Sequence, residues 1–168
     1  MGTTKQTAKA NFEKTPRKEA VKMALELQTE LDQICNKATV AGSIRRGKED
    51  IGDIDIVVIP KNLDTFYDDV KKIIEFEYGA KKKVFGMYHG RPINIFITNE
   101  ESWGAQLMTA TGPAHYNIRK RSLVKKRGYL LNEYGLFDRE SNEYIVGATE
   151  KEIYEFLGWT NRPPNERK

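Results

Sequence analysis

Cysteine is nearly absent from this 168-residue chain. Cys35 stands alone, so no internal disulfide can form and the fold must be held by burial. Histidine is almost as scarce: His89 and His115 with one cysteine leave too few nitrogen and sulfur ligands for a zinc centre. No stretch approaches the roughly 18 consecutive apolar residues of a membrane helix, and Met1 to Lys5 lack the apolar core of a signal peptide. These absences argue against membrane and disulfide-stapled secreted classes. A lone thiol, read as buried on a helix face, suits a reducing intracellular compartment such as the cytoplasm. What the chain does have is 39% apolar and 31% charged residues, the balance of a globular protein with a well-charged surface. Its net charge of +4 is unevenly spread over Lys81-Lys82-Lys83, Arg119-Lys120-Arg121 and Lys125-Lys126-Arg127. Such clusters point to a polyanionic partner.

Residues 1–13 are polar without period and read as a flexible tail. Thr15-Pro16 is a cap-plus-proline helix start, and Ala20, Ala24, Leu27, Leu31 and Ile34 continue it as an amphipathic helix to about residue 37. Ala38–Ser43 and Asp53–Ile59 are expected strands. A helix after Asn62 or Asp64 carries Phe66, Val70, Ile73 and Ile74. Lys83–Tyr88 and Ile93–Thr98 form a hairpin about His89-Gly90-Arg91. Beyond Glu101 the pattern predicts helices over Trp103–Ala110 and Ala114–Arg127, short strands at Tyr129–Leu131, Leu136–Asp138 and Tyr144–Val146, and a helix opened by a Thr149–Glu152 capping box. The remaining aromatics, Tyr78 and Phe156 among them, are assigned to core or interface packing. The fold class is α+β, a mixed sheet backed by helices (14–100) followed by a smaller α/β unit (101–168).

The chemistry concentrates between Gly42 and Ile59. In Gly52-Asp53-Ile54-Asp55-Ile56, strand alternation puts both carboxylates on one face and both isoleucines in the core. Two adjacent carboxylates repel unless a cation lies between them, and Mg²⁺, which shares oxygen ligands with phosphates, suits the position. Upstream, Gly42-Ser43-Ile44-Arg45-Arg46 offers backbone N–H groups, a hydroxyl and guanidinium forks to a polyphosphate.

Four marks in order, G-S-I-R-R at 42–46, G-D-I-D-I at 52–56, T-G-P at 111–113 before a basic helix, and L-N-E-Y-G-L-F at 131–137, make the chain from about Thr15 onward resemble the DNA polymerase X family, the polymerase β-like nucleotidyltransferases. The resemblance is to the minimal form built of a catalytic palm and a thumb, like the small viral members, which would place it in a host cytoplasm. The family's lyase and fingers segments have no counterpart here, so 5′-deoxyribose-phosphate lyase activity is not expected. The resemblance implies a monomeric polymerase that fills short gaps, with gapped or nicked primer–template DNA and a dNTP as partners and two Mg²⁺ ions (or Mn²⁺) as cofactors. Residue by residue, it implies that Ser43 and Arg46 hold the β,γ-phosphates while the Gly42 and Gly52 backbones come close. Asp53 and Asp55 would be catalytic metal ligands. Gly112 and Asn117 would face the nucleotide and Arg121 the template strand. Lys120, Lys125, Lys126 and Arg127 would bind DNA phosphates without sequence preference.

Two departures stand out. The family's third carboxylate belongs where Ile93-Asn94-Ile95 places Asn94. Asparagine keeps one ligand oxygen but not the charge, and it cannot accept a proton. It reads either as natural divergence toward a weak or non-catalytic protein or as an engineered near-isostere that traps substrates. Thr109-Ala110 replaces an aromatic pair common in the family, which implies weaker discrimination against ribonucleotides. Besides the polymerase, a template-independent nucleotidyltransferase and a non-catalytic nucleotide- or DNA-end-binding module remain open.

Overall fold

The computed structural model describes residues 13–168, and the tail expected over 1–13 lies, apart from Glu13, outside them. Thr15–Pro16 (β1) pairs with Asp50–Ile51 (β3) instead of capping a helix. Helix α1 then spans Arg17–Asp32, shorter than its periodicity predicts, because Cys35 already opens strand β2 (Cys35–Val40). Cys35 is therefore a strand residue, still buried, and burial pushes its thiol up to about 12. The strand expected to reach Ser43 stops at Val40: Gly42 adopts φ +60° and Gly42–Arg45 folds into a single helical turn, α2. Strand β4 (Ile54–Pro60) follows, and Asn62 caps α3 (Leu63–Val70) by accepting from the Asp64 N–H at 2.9 Å.

Strands β5 (Glu75–Ala80), β6 (Lys83–Tyr88) and β7 (Arg91–Ile97) complete a mixed sheet of order β2-β4-β7-β6-β5, in which β4 and β7 run parallel. The β5 strand was not expected. Phe76 and Tyr78 alternate with Glu75 and Glu77, but only Phe76 is partly buried against the core and the rest of this edge strand is exposed, so the alternation is too short to stand out. One face of the sheet is the main core: Ala24, Leu27 and Leu31 of α1 and Phe66 and Val70 of α3 pack on Ile54, Ile56, Val84, Ile93 and Ile95.

Helix α4 (Trp103–Thr111) crosses the other face, where Leu107 meets Val57 and Ala41, with Phe96 and Trp103 alongside. Helix α5 (Ala114–Lys126), the hairpin β8 (Tyr129–Asn132) and β9 (Gly135–Asp138), strand β10 (Tyr144–Val146) and α6 (Glu150–Leu157) enclose a second core of Met108, Tyr116, Val124, Leu136, Ile153 and Tyr154. Thr149 caps α6, its hydroxyl accepting from the Glu152 N–H at 3.1 Å. Tyr78 and Phe156 correct the packing expectation, being 58% and 42% exposed. Among the described residues, no helix is long and apolar enough to cross a membrane.

Candidate active site

Asp55 and Asn94 face each other in register across the parallel β4–β7 pair. Their neighbours Ile54, Ile56, Ile93 and Ile95 point to the opposite, helix-covered face, so alternation alone delivers the polar row to the open side. Asp53, just before β4, joins it. The Asn94 Nδ2 donates to Asp55 Oδ1 at 3.0 Å and lies 3.5 Å from Asp53 Oδ2. Burial pushes the Asp55 carboxyl up to about 6. The Asp53 charge adds to the rise, and the Asn94 hydrogen bond, Lys83 and Arg46 oppose it. A carboxylate so desolvated, beside a second one, is a site whose unmet negative charge suits a divalent cation. Asp53 and Asp55 fit such an ion. Asn94 turns its amide, not its oxygen, toward them, and among the described residues no cluster of three or more His, Cys, Asp or Glu is suited to hold a metal.

Turn α2 abuts this row. A Cβ on Gly42 would stand 2.1 Å from Asp55 Oδ2, so the glycine is what lets turn and carboxylate touch. Nothing of the protein lies within 4 Å of a Cβ at Gly52, which leaves its backbone open to a ligand. Ser43 is half-buried at the second position of the turn. Arg46 donates from Nη1 to the Thr111 carbonyl at 2.6 Å, and burial lowers its pKa while Asp55 opposes the drop.

Between turn and thumb runs a cleft of about 400 Å³ lined by Arg46, Thr109, Ala110, Gly112, Pro113, Asn117 and Arg121, among others, a volume that suits a nucleotide-sized ligand. Asn117 donates to the Thr109 carbonyl at 3.0 Å, and Arg121 reaches the Thr109 hydroxyl at 3.3 Å and Glu133 at 3.9 Å. Two atoms in these walls, Arg46 Nε and Asn117 Oδ1, are buried without a partner. Thr109 and Ala110 close the last turn of α4 with small side chains toward the cleft.

The structure thus brings Gly42, Ser43, Arg46, Gly52, Asp53, Asp55, Asn94, Gly112, Asn117 and Arg121 to one region. It does not bring the remaining cations there. Lys120 lies on another flank of α5, 4.4 Å from the Trp159 ring. Arg127 braces the helix ends by donating to the Leu157 carbonyl at 2.7 Å. Lys125 and Lys126 are exposed at the end of α5.

Sequence reasoning also missed a buried ionic junction. Arg45 grips Glu150 through both Nη atoms at 2.8 and 3.0 Å and reaches the Thr111 hydroxyl, while Arg167 grips the other side of Glu150 at 3.0 and 2.9 Å. Nothing in the local pattern marked Glu150, which resembles any acid of a first helical turn, or Arg167, which lies in an irregular tail.

A helix-backed mixed sheet presenting two carboxylates beside an arginine-bearing turn, faced by a basic helical lobe, is the palm-and-thumb build of the polymerase β-like proteins. The comparisons agree. Residues 14–83 match the DNA polymerase beta palm and 106–168 the DNA polymerase beta thumb. The chain is 31% identical over 160 residues to the Repair DNA polymerase X of African swine fever virus, a match spanning 87% of this chain and 90% of the viral one. It is 25% identical over 157 residues to the DNA polymerase/3′-5′ exonuclease PolX of Bacillus subtilis, covering 89% of this chain but 28% of that protein. In fold it is similar to a Leishmania infantum polymerase beta ternary P/T complex, with TM-score 0.79 and 22% identity over 93% of this chain and 77% of that one. The chain belongs to the X family of DNA polymerases.

Proposed function

We propose that this chain adds deoxynucleoside monophosphates to a primer 3′-hydroxyl in short DNA gaps, as a monomer inside a reducing compartment, and that Asn94 slows the chemistry more than it weakens substrate binding. The observation that carries the reading is the register of Asp55 with Asn94 across β4 and β7, next to the Arg46–Asn117 cleft. In this reading Arg46 and the α2 turn take the triphosphate of the incoming nucleotide, since a guanidinium fork and adjacent N–H groups match its oxygens. Asn117 faces the base and Arg121 the template strand, with Lys120, Lys125, Lys126 and Arg127 giving salt-dependent contacts to phosphates farther out. Divalent ions held by Asp53 and Asp55, Mg²⁺ or Mn²⁺, would supply Lewis-acid stabilisation of the phosphoryl charge and activation of the 3′-hydroxyl.

Asn94 changes what the protein itself contributes. Where a third carboxylate would add negative charge to attract a cation, Asn94 adds none and spends its amide N–H on the other two, and its amide oxygen is too weak a base to take the hydroxyl proton. Loss of a positioned base typically lowers rate by about 10²–10⁴. This same hydrogen bond favours a second reading, a nucleotide- and DNA-end-binding module without chemistry. Primer extension on gapped DNA with Mg²⁺ or Mn²⁺, comparing the chain with Asn94→Asp, separates them. The polymerase reading expects slow extension that rises by about 10²–10⁴ in the variant. Nucleotide binding with no extension by either form would leave only the binding module. Extension of a single-stranded primer without a template would indicate a template-independent transferase.

A further inference from the structure

The Glu150 junction reaches the cleft through one residue. Thr111, at the end of α4, is fully buried and takes both arginines of the α2 turn. Its hydroxyl accepts from Arg45 Nη1 at 2.8 Å, and its carbonyl accepts from Arg46 Nη1 at 2.6 Å. Arg45 is held in turn by both oxygens of Glu150, and Glu150 by both Nη atoms of the buried Arg167. Arg167 is itself fixed: its Nε donates to the Arg162 carbonyl at 3.1 Å, and its guanidinium lies 5.6 Å from the Tyr154 ring. The contacts therefore run Arg167, Glu150, Arg45, Thr111, Arg46, and end on the guanidinium that lines the cleft. The turn at Pro164–Glu166 also comes up against the residues just past α2, where a Cβ on Gly47 would stand 3.8 Å from Asn165 Cβ.

Stability alone is a poor account of this arrangement. Desolvating two guanidinium groups and a carboxylate is costly, and well-packed apolar residues of the same volume often stabilise a fold as well or better. What bidentate ion pairs supply and apolar contacts do not is direction, since each fork fixes the plane of its partner. Here that direction is passed on to Arg46. Burial lowers the Arg46 pKa and its Nε has no partner, so the Thr111 carbonyl is the one acceptor its side chain has among the described residues. A side chain with a single anchor loses rotamer freedom on binding a ligand unless that anchor already holds it, and such prior ordering raises affinity.

We infer that Arg45, Glu150 and Arg167 are positioning residues for nucleotide binding: through Thr111 they preset Arg46 and the α2 turn for the triphosphate without touching the nucleotide themselves. The inference rests on the polymerase reading above. It ties the 162–167 segment of the thumb to the phosphates of the incoming nucleotide rather than to its base or to the DNA.

Equilibrium binding of Mg²⁺–dATP to the full chain tests it, with the chain on a gapped duplex whose primer ends in a dideoxynucleotide and whose gap presents thymine. Arg167→Gln weakens nucleotide binding about tenfold, the low end of what a charge-assisted hydrogen bond contributes. It leaves duplex affinity within about twofold of the parent, the usual scatter for independent sites. Thr111→Val, which removes only the hydroxyl link, weakens nucleotide binding about threefold. Arg46→Gln weakens it at least as much as Arg167→Gln, and adding Arg167→Gln to that background costs less than about twofold more, because both act through one contact. Thermal unfolding shows that each variant is folded at the temperature of the titration. Should Arg167→Gln not fold, Thr111→Val and its cycle with Arg46→Gln carry the same decision. Nucleotide affinities within about twofold of the parent in the folded variants overturn the inference. So do penalties that add in full on the Arg46→Gln background, or an equal loss of duplex affinity, since either marks a merely structural brace. A parent chain that binds no Mg²⁺–dATP on the duplex overturns the polymerase reading as well, so the two failures are distinguishable.

Discussion

Two separate constraints keep a side chain off position 42. Its φ of +60° lies in the left-handed region, and any Cβ would meet the Asp55 carboxylate at 2.1 Å. The first alone costs a non-glycine residue about 1–2 kcal/mol, and the second forces either α2 or Asp55 to move. Gly42→Ala is expected to lose at least about that much stability and to weaken divalent-ion binding. Thermal unfolding and an ion titration check both, and a variant equal to the parent in each would contradict the geometry. The neighbouring arginines show the limit of residue-by-residue reading. Arg45 and Arg46 are chemically the same and adjacent, yet one grips a buried carboxylate and the other lines the cleft. Their divergence comes from the rotation of about 100° per residue in the α2 turn, whose helical form the sequence did not reveal because the expected strand ran into it as far as Ser43.

Among the elements, α6 is the one whose boundary was most legible. Thr149 and Glu152 stand at capping-box spacing, and the cap is formed. Thr149→Ala should lower stability by about 1 kcal/mol in denaturant unfolding, with Thr149→Ser retaining most of it. The substitution must be confined to the side chain, because Gly104 of α4 packs directly on the Thr149 backbone and a Cβ there would come within 2.2 Å of it. Strands β4 and β6 appear within a residue of where the pattern puts them, whereas α1 ends about five residues early and α3 stops at Val70, short of the Ile73 and Ile74 assigned to its face. Strand β5 was missed for a physical reason: on this exposed edge only Phe76 of Glu75-Phe76-Glu77-Tyr78 packs against the core, which leaves an alternation of two apolar positions.

For the whole molecule, the junction of the two lobes centres on Glu150 between Arg45 and Arg167. Arg167 is 3% exposed, although it is the penultimate residue. Burial would raise the Glu150 carboxyl, but the hydrogen bonds from Arg167 and Arg45 outweigh it and hold the group below the usual carboxylate range. The linkage sign follows: a depressed folded pKa stabilises fully above the ordinary carboxylate value, and that contribution is lost as pH falls through the depressed one. Glu150→Gln should therefore destabilise at neutral pH by about 3–5 kcal/mol, since it leaves two arginines without their counter-charge. It should also flatten the fall of stability with acid below about pH 4.5. Chemical denaturation across pH 3–7 measures both, and an acid limb as steep in the variant as in the parent would mean that another carboxylate governs it. The exposed Arg121–Glu133 pair, by contrast, should contribute under about 1 kcal/mol.

The α+β class, the carboxylate-bearing strand, the arginine turn and the basic helix were all legible in the chain, because each depends on short-range alternation, helical period or turn chemistry. The position of Asn94 beside Asp55 was suggested by resemblance, but its amide's orientation toward the carboxylates required the parallel pairing of β4 and β7. The Glu150 junction and which arginine faces the cleft depend on contacts between residues distant in sequence. Such contacts are set by how the sheets and helices pack, and no local pattern carries them.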